Sequence, residues 1–342
     1  MKHTRPILLA GWMAAVAMPA AAFEALPANP PVPADNPLSA AKIELGKQLY
    51  FDPRLSINGT QSCNDCHNVM GSGTDNRSTS IGAKGKPGGR SAPTVWNAAY
   101  LSAQFWDGRA ASLEEQAKGP ILNPVEMGMP SEQAVIDRLS KIPGYVDQFK
   151  AVFGEQGLTY DNLAKAIAAY ERTLVTPNSP FDRYLRGEKS AMSEQAVRGM
   201  ELFESIGCAG CHSGPNFSGP NLPAGQPFLQ KFPVFADNEY VKKYGFLKDP
   251  GRFEVTKKEA DRHLWRVPTL RNVALTAPYF HNGAVATLDE AVRVMAKTQL
   301  NKTLNDAQVA DLVAFLESLT GEFPAQTMPQ LPPTAGSTPF MK

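Results

Sequence analysis

The placement of four cysteines constrains this chain more than any other sequence feature. They occupy two identical frames, Cys63-Asn64-Asp65-Cys66-His67 and Cys208-Ala209-Gly210-Cys211-His212. A disulfide framework would scatter its cysteines and would not place a histidine after each pair. The chain must therefore build two similar sites, each organised around one C-x-x-C-H frame.

C-x-x-C-H is the attachment signature of c-type haem. Each cysteine can add to one haem vinyl group, and the adjacent histidine then lies under the iron as its proximal ligand. Two other interpretations stay open from the frames alone. One is a zinc site that shares the four cysteines and leaves both histidines unused; the other is a redox-active cysteine pair, which needs no histidine. The repeated frame favours two covalent haems.

The frames belong to a longer internal repeat. Residues 93–115 align without a gap with residues 268–290, and the two segments share Pro, Thr, Asn, Phe, Gly, Leu and Glu at matching places. Upstream, a Gly-x-x-Leu-aromatic pattern precedes each frame, beginning at Gly46 and at Gly199. The chain is therefore predicted to contain two copies of one helical unit.

Local signals predict a mostly α protein with long Gly/Pro-rich loops. Helix-capping residues precede several apolar periodic segments: Ser39, Ser131, Thr159, Ser193, Thr287 and Asn305. Gly321 is predicted to end the last helix, and no sustained apolar/polar alternation indicates a long strand. Since 342 residues suffice for two domains, we predict cytochrome c-like domains over residues 23–184 and 185–342, the second with an extended proline-rich tail.

Residues 1–22 have the pattern of a signal peptide. Lys2 and Arg5 precede an apolar run over residues 7–17, and residues 20–22 offer a small-residue cleavage site. The run is too short to span a bilayer, and an uncleaved anchor is the alternative. The prediction is a periplasmic protein, cleaved near Ala22, with no membrane span in the mature chain. The formal net charge of +1 gives no indication of a nucleic-acid partner.

The second axial position of each iron decides what each haem can do. In the second unit, Met295 follows Leu288, Ala291 and Val292 on one helix face and can close its haem, although a methionine on such a stripe can also be core. In the first unit Pro120 aligns with Met295. The carboxyl group of Glu126 lies nearby between apolar neighbours, either as an acid/base over an open haem or as a surface glutamate.

A wider set of motifs resembles the bacterial dihaem cytochrome c peroxidase family over essentially the whole mature chain. Besides the two frames, the matching segments are Gln104-Phe105-Trp106-Asp107-Gly108-Arg109, Val125-Glu126-Met127, Thr276-Ala277-Pro278-Tyr279-Phe280-His281 and the helix around Met295. A group of dihaem enzymes that oxidise protein side chains, which includes the methylamine dehydrogenase maturation enzyme, is similar. The resemblance implies a periplasmic and often homodimeric enzyme. Such an enzyme reduces hydrogen peroxide to water with electrons from a small cytochrome c or copper protein.

The resemblance also implies roles for individual residues of the first unit. His67 is the proximal ligand of the peroxidatic haem, and Glu126 is its catalytic acid/base. Gln116 lies near the same pocket. Trp106 is the electron bridge between the two haems.

In the second unit the resemblance makes His212 and Met295 the ligands of the electron-transfer haem. The methionine favours the peroxidases, because the protein-oxidising relatives have a tyrosine there. Calcium between the domains is implied through the backbone carbonyls of Thr276 and Pro278. The third calcium position is Ser91, where relatives supply an asparagine and a serine hydroxyl is a weaker ligand.

A second departure from the family pattern lies in the loop after the first frame. Relatives carry a histidine there that closes the peroxidatic haem, and this chain has Ala83. The expectation is a first haem that stays open when both irons are oxidised. The alternatives are closure by Lys84 or Lys86, by Met70, or by a backbone group of the loop.

Two rival functions follow from the same residues. A dihaem electron carrier would need a strong sixth ligand on both irons, and only Met295 is an obvious candidate. An enzyme that uses two high-valent haems to oxidise a protein or an organic substrate is compatible with one open haem coupled to another through Trp106.

Overall fold

The computed structural model describes residues 23–334, so the predicted signal peptide and the last eight residues lie outside the described range. Over residues 23–334 the chain is mostly helical, with one two-stranded sheet. The predicted fold class, mostly α with long loops, is therefore confirmed.

The helices fall into two successive sets. The first set is α1 (Ala40–Phe51), α2 (Cys63–Cys66), α3 (Leu113–Leu122), α4 (Glu132–Leu139), α5 (Pro143–Phe153) and α6 (Tyr160–Glu171). After α7 (Pro180–Leu185), the second set is α8 (Glu194–Ser205), α9 (Glu239–Tyr244), α10 (Phe253–Thr256), α11 (Leu288–Leu300) and α12 (Asp306–Glu317). Strands β1 (Leu229–Lys231) and β2 (Leu264–Arg266) pair antiparallel, with Leu229 opposite Arg266.

The predicted helix caps are confirmed. Each accepts a hydrogen bond from a backbone N–H of the first helical turn: Ser39, Ser131, Thr159, Ser193, Thr287 and Asn305. The prediction for Gly321 is wrong, because Ser318 is the C-cap of α12. Gly321 instead packs against the backbone of Thr176, where a Cβ atom would lie 2.0 Å from the carbonyl oxygen.

The two helical sets use the same packing device. A glycine in α1 lets that helix touch α6, and a glycine in α8 lets it touch α12. A Cβ atom on Gly46 would lie 1.8 Å from the carbonyl oxygen of Ala166, and one on Gly199 would lie 1.9 Å from that of Asp311. The first pair borders one apolar core and the second pair borders another. Each unit therefore holds its haem-binding frame beside its own helix pair and core.

The predicted repeat is visible in the backbone. Asn97 and Asn272 both adopt left-handed conformations, with φ of 63° and 59°. Phe105 and Phe280 do the same at 67° and 70°, although such a conformation is uncommon for an aromatic residue. Matching conformations at aligned positions show that residues 93–115 and 268–290 fold alike.

The units meet at one buried hydroxyl group. Asn97 Nδ2 and Asn272 Nδ2 both donate to Thr176 Oγ1, at 2.7 Å and 2.9 Å. All three side chains are buried. The two copies of the repeat are thus tied to the same point of the connecting segment.

Candidate active site

The first frame forms one helical turn that presents His67. Ser62 precedes this turn, and its backbone N–H donates to Asp65 Oδ2 at 2.6 Å. His67 Nδ1 lies 2.8 Å from the carbonyl oxygen of Pro93, which can only accept, so Nδ1 carries the proton. Burial lowers the pKa of His67 and favours the neutral ring. His67 Nε2 therefore keeps its lone pair, as a metal ligand requires.

The second frame repeats this arrangement beside a large apolar cavity. His212 Nδ1 lies 3.0 Å from the carbonyl oxygen of Phe217, and burial lowers the pKa of His212. Cys208, Cys211 and His212 line the cavity, and Met295 reaches it from α11. The structure thus brings the predicted ligands together although they are 83 residues apart in the chain.

The residues of both frames fit covalent haem better than they fit the alternatives. The four cysteines form no disulfide with one another. Burial raises the pKa of Cys66 to about 11 and that of Cys208 to about 12. In the part of the chain that the structure describes, no group of three or more His, Cys, Asp or Glu could hold a metal ion. The shared zinc site is therefore not formed.

Glu126 is a partly buried carboxyl group in the turn that follows α3. Asn123 Nδ2 donates to Glu126 Oε1 at 2.9 Å. Burial raises the pKa of Glu126, while the charge of Arg109 and the hydrogen bond from Asn123 act in the opposite direction. A carboxyl group with a raised pKa holds a proton more readily than an ordinary glutamate, which suits general acid/base work. Gln116 lies in the first turn of α3 and is half-buried.

The loop that contains Ala83 rests on the backbone of Glu126. Ala83 is 2% exposed, and its backbone N–H donates to the carbonyl oxygen of Glu126 at 2.6 Å. A Cβ atom on Gly82 would lie 2.2 Å from the carbonyl oxygen of Val125. Such close approach requires glycine. The loop is thus packed on the segment that carries the acid/base candidate.

The side chains considered as replacement ligands for the first haem are exposed. Lys84 and Lys86 are exposed on the same loop. Met70 is 46% exposed. The structure gives these three side chains no buried position near Glu126.

Trp106 lies where the two units meet. Its ring lines the cavity that also contains His212 and Met295. Its Nε1 donates to the backbone carbonyl of Ser91 at 2.8 Å, which ties the ring to the first unit. Trp106, a residue of the first unit, therefore extends its ring into the second cavity while its polar edge stays bonded within the first unit.

Comparison with known proteins gives the family. A family model described as di-haem cytochrome c peroxidase matches residues 40–190, and one described as cytochrome c matches residues 196–320. A cytochrome c551 peroxidase of Nitrosomonas europaea is 47% identical over 311 residues, which cover 90% of this chain and 89% of the relative. The chain belongs to the dihaem cytochrome c peroxidase family. The family and the two frames together support two haems, and the prediction of a peroxidase is confirmed at the level of the family.

Other relatives place this dihaem peroxidase within a wider group. A cytochrome c551 peroxidase of Pseudomonas aeruginosa is 47% identical and covers 89% of this chain and 85% of its own. The methylamine utilization protein MauG of Methylorubrum extorquens is 36% identical, with 90% and 86% covered. A crystal structure of a MauG-like protein associated with microbial copper homeostasis is 30% identical, covers 87% of this chain and 95% of its own, and has a TM-score of 0.75.

The three residues predicted to bind calcium border the same cavity. Ser91, Thr276 and Pro278 all line the second cavity near Trp106. The hydroxyl group of Ser91 makes only a long contact of 3.5 Å with the carbonyl oxygen of Arg77. Its oxygen is therefore available to a cation, as the chemistry of calcium requires.

Sequence reasoning missed a charged network beside Trp106. Asp107 is buried and accepts from Arg90 Nη1 at 2.6 Å and from Arg109 Nη1 at 2.7 Å. Arg90 also pairs with Asp249 at 2.7 Å and lies over the ring of Trp265. The sequence contained Asp107 and Arg109 in a motif, but nothing in the spacing showed that a distant arginine would join them.

No helix among residues 23–334 is long and apolar enough to cross a membrane. The predicted signal peptide lies outside these residues. The family matches meet between residues 190 and 196. The domain boundary at residues 184 and 185 stays a prediction.

Proposed function

We propose that this chain is a periplasmic dihaem peroxidase that reduces hydrogen peroxide to water with electrons from a small redox protein. The observation that carries the proposal is the difference between the two units. The second unit brings Met295 and His212 into one cavity, whereas the first has Pro120 at the position of Met295 and holds Glu126 nearby. The second unit is therefore suited to electron transfer, and the first unit is suited to the reaction with peroxide.

Two haems, when bound, supply peroxide binding and the storage of electrons. His67 would hold the first, with Cys63 and Cys66 as attachment points. The second would be held by His212 and Met295, with Cys208 and Cys211 as attachment points. The neutral rings of both histidines, with Nδ1 held by a backbone carbonyl in each, support these assignments.

Peroxide reduction needs a group that takes a proton from one oxygen atom and returns it to the leaving oxygen. We assign this work to Glu126, because it is a partly buried carboxyl group beside the loop of Ala83 and its burial raises the pKa of the carboxyl group. Asn123 holds Glu126 Oε1 and leaves the other carboxylate oxygen for the substrate. Gln116 is assigned to the same pocket from α3.

Ala83 replaces the histidine that closes the first haem in relatives. Because Ala83 is buried against Glu126 and its methyl group cannot bind iron, we propose that this haem is open without prior reduction. Trp106 is assigned as the electron bridge between the units. Trp106 belongs to the first unit and its ring lines the cavity of the second unit, and this position supports the role.

The electron donor, the calcium ion and the oligomeric state are further parts of the proposal. The relatives named cytochrome c551 peroxidases support a small cytochrome c donor, and a copper protein is the alternative. Ser91, Thr276 and Pro278 are assigned to calcium because they line one cavity. A homodimer is expected from the family resemblance alone.

The test is steady-state oxidation of a reduced small cytochrome c by hydrogen peroxide with the haem-loaded protein. The proposal expects turnover without a pre-reduction step. A dihaem electron carrier would exchange electrons with the cytochrome but would not consume peroxide. Turnover that begins only after pre-reduction would contradict the open first haem.

The 36% identity to MauG supports a second candidate, a dihaem enzyme that oxidises a protein or an organic substrate. Adding peroxide without an electron donor distinguishes the two. The second candidate predicts a long-lived oxidised state and a modified partner. Rapid decay without a modified partner favours the peroxidase.

A further inference from the structure

Arg266 ends strand β2 and holds the segment that carries Trp106. Its backbone N–H donates to the carbonyl oxygen of Trp106 at 2.8 Å. Its side chain donates from Nε to the carbonyl oxygen of Phe105 at 3.0 Å and from Nη1 to that of Val267 at 3.1 Å. The guanidinium group is therefore fixed beside the proposed electron bridge.

This guanidinium group is buried without a counter-ion. Arg266 is 3% exposed, and no carboxylate of residues 23–334 lies within ion-pair distance of it. Its Nη2 atom donates to no described acceptor. By contrast, the equally buried Arg271 pairs with Asp182 at 2.9 Å. Burial of an uncompensated charge is costly, so proteins pair such charges.

The electrostatics of Arg266 agree with a missing anion. Burial lowers the pKa of Arg266 to about 10, and the distant charge of Asp107 offsets this only in part. The other groups that hold the guanidinium are neutral carbonyl oxygens. An anion within hydrogen-bond distance of Nη2 would compensate the buried positive charge of the guanidinium group.

The position of Arg266 limits where that anion can come from. The side chain lines the cavity that contains His212, Met295 and Trp106. It also lines a neighbouring cleft, which is bordered by Tyr100 and Asn216. A carboxylate of a group held in the cavity can therefore reach the guanidinium, and so can a small anion that enters through the cleft.

We propose that Arg266 binds a propionate carboxylate of the second-unit haem. The inference rests on the proposed haem in this cavity, but not on peroxide turnover. The carboxylate completes the coordination of the guanidinium group, which itself holds the backbone of Phe105 and Trp106. Arg266 thereby acts as a positioning residue. It binds the second haem through the propionate and holds the backbone of the proposed electron bridge, Trp106.

The experiment is a spectroelectrochemical titration of the second haem between about pH 5 and pH 9 in the haem-loaded protein. Arg266→Gln removes the charge, so the reduced haem loses stabilisation and its potential is expected to fall. The freed propionate becomes easier to protonate, so a new pH dependence is expected, with the potential falling further as pH rises. A merely structural role would not produce this pH dependence.

Arg252→Gln is the matched control. Arg252 Nη1 donates to the carbonyl oxygens of Asp107 and Gly108, on the same segment, but Arg252 lies near Asp261 as a counter-ion. The control is expected to leave the pH dependence unchanged. Arg266→Lys keeps the charge and is expected to lower the potential less than Arg266→Gln.

A second measurement compares the unaltered protein directly with Arg266→Gln. The method is redox-difference infrared spectroscopy near pH 6 with labelled haem propionates. The unaltered protein should show at least one ionised propionate. In Arg266→Gln the band of that carboxylate should be replaced by the band of a protonated acid. Protonation of both propionates in the unaltered protein would overturn the proposal. So would an unchanged potential and pH profile in Arg266→Gln.

The source of the anion is tested in the same titration. If added chloride or phosphate shifts the potential of the unaltered protein but not that of Arg266→Gln, a free anion occupies the site and the proposal is wrong. If the unaltered protein does not turn over peroxide but Arg266→Gln still shows the predicted pH dependence of the haem potential, only the proposed function is contradicted.

Discussion

The backbone N–H of Ala83 donates to the carbonyl oxygen of Glu126 at 2.6 Å. These residues are 43 positions apart, and the contact joins the loop of Ala83 to the turn that carries the proposed acid/base. Because Gly82 also packs on this turn, the loop supports the backbone of Glu126 at two successive residues. In this chain the loop is expected to orient Glu126 rather than to close the haem.

Glu126→Gln should abolish most of the turnover while leaving the haem content intact. The amide cannot take and return a proton, and general acid/base work of this kind contributes about 10²–10⁴ in rate. The measurement is steady-state peroxide reduction beside a haem assay. Glu115→Gln, on the exposed side of α3, is the control and should retain activity. Survival of most activity in Glu126→Gln would assign the acid/base elsewhere.

Ala83→His should convert the first haem from an open to a closed state. The unaltered, fully oxidised protein is expected to give a high-spin ferric signal beside a low-spin signal by electron paramagnetic resonance. The introduced imidazole can supply a sixth ligand, so the high-spin signal should decline and activity should come to depend on pre-reduction. A wholly low-spin spectrum of the unaltered protein would contradict the open site.

Gly82→Ala should destabilise the loop and disturb Glu126. The new Cβ atom would lie 2.2 Å from the carbonyl oxygen of Val125, so one of the two segments must move. Overpacking of this kind costs about 1–3 kcal/mol. Urea unfolding and peroxide turnover should both report the change. Gly89→Ala is the control, because nothing lies within 4 Å of its added Cβ atom.

Thr176→Val should weaken the junction between the two units. It removes the hydroxyl group to which Asn97 and Asn272 both donate, and it leaves two buried amide groups short of an acceptor. An unsatisfied buried donor costs about 1–3 kcal/mol. The measurement is the free energy of unfolding in urea. Thr60→Val, at an exposed position, should change it little, and an equal effect of both variants would argue against the shared junction.

Glu171→Gln should flatten the dependence of stability on pH. Burial raises the pKa of Glu171 to about 8, and its Oε2 has no hydrogen-bond partner. The folded state therefore holds a proton that the unfolded state releases above about pH 4.3. Stability from this group is present below that value and is lost as pH rises toward about 8, by up to ~1.4 kcal/mol per pH unit.

The check is the free energy of unfolding of both proteins between about pH 5 and pH 8. Glu317→Gln is the matched control, because Glu317 ends α12 as Glu171 ends α6 but is exposed. A slope that persists in Glu171→Gln would place the titrating group elsewhere.

Local features of this protein could be predicted from its sequence. The frames at Cys63 and Cys208, the helix caps such as Ser39, and the repeat that begins at Pro93 and Pro268 each depend on residues close together in the chain. Helix caps and C-x-x-C-H frames depend on residues within about one helical turn, so both can be recognised before the tertiary structure is known. Gly321 shows the limit, because a glycine after a helix can serve packing as well as termination.

Only the tertiary structure decided which distant groups meet. It placed Ala83 on Glu126, joined Arg90 to Asp107, and buried Arg266 beside Trp106 with no carboxylate of residues 23–334 at ion-pair distance. Burial, charge pairing and hydrogen-bond satisfaction depend on how separate segments pack, and a periodic pattern records which face of a helix is apolar but not what lies against it. The chain's motifs therefore determined two haem-binding units, whereas packing between them decided how an acid, a loop and an unpaired cation surround those sites.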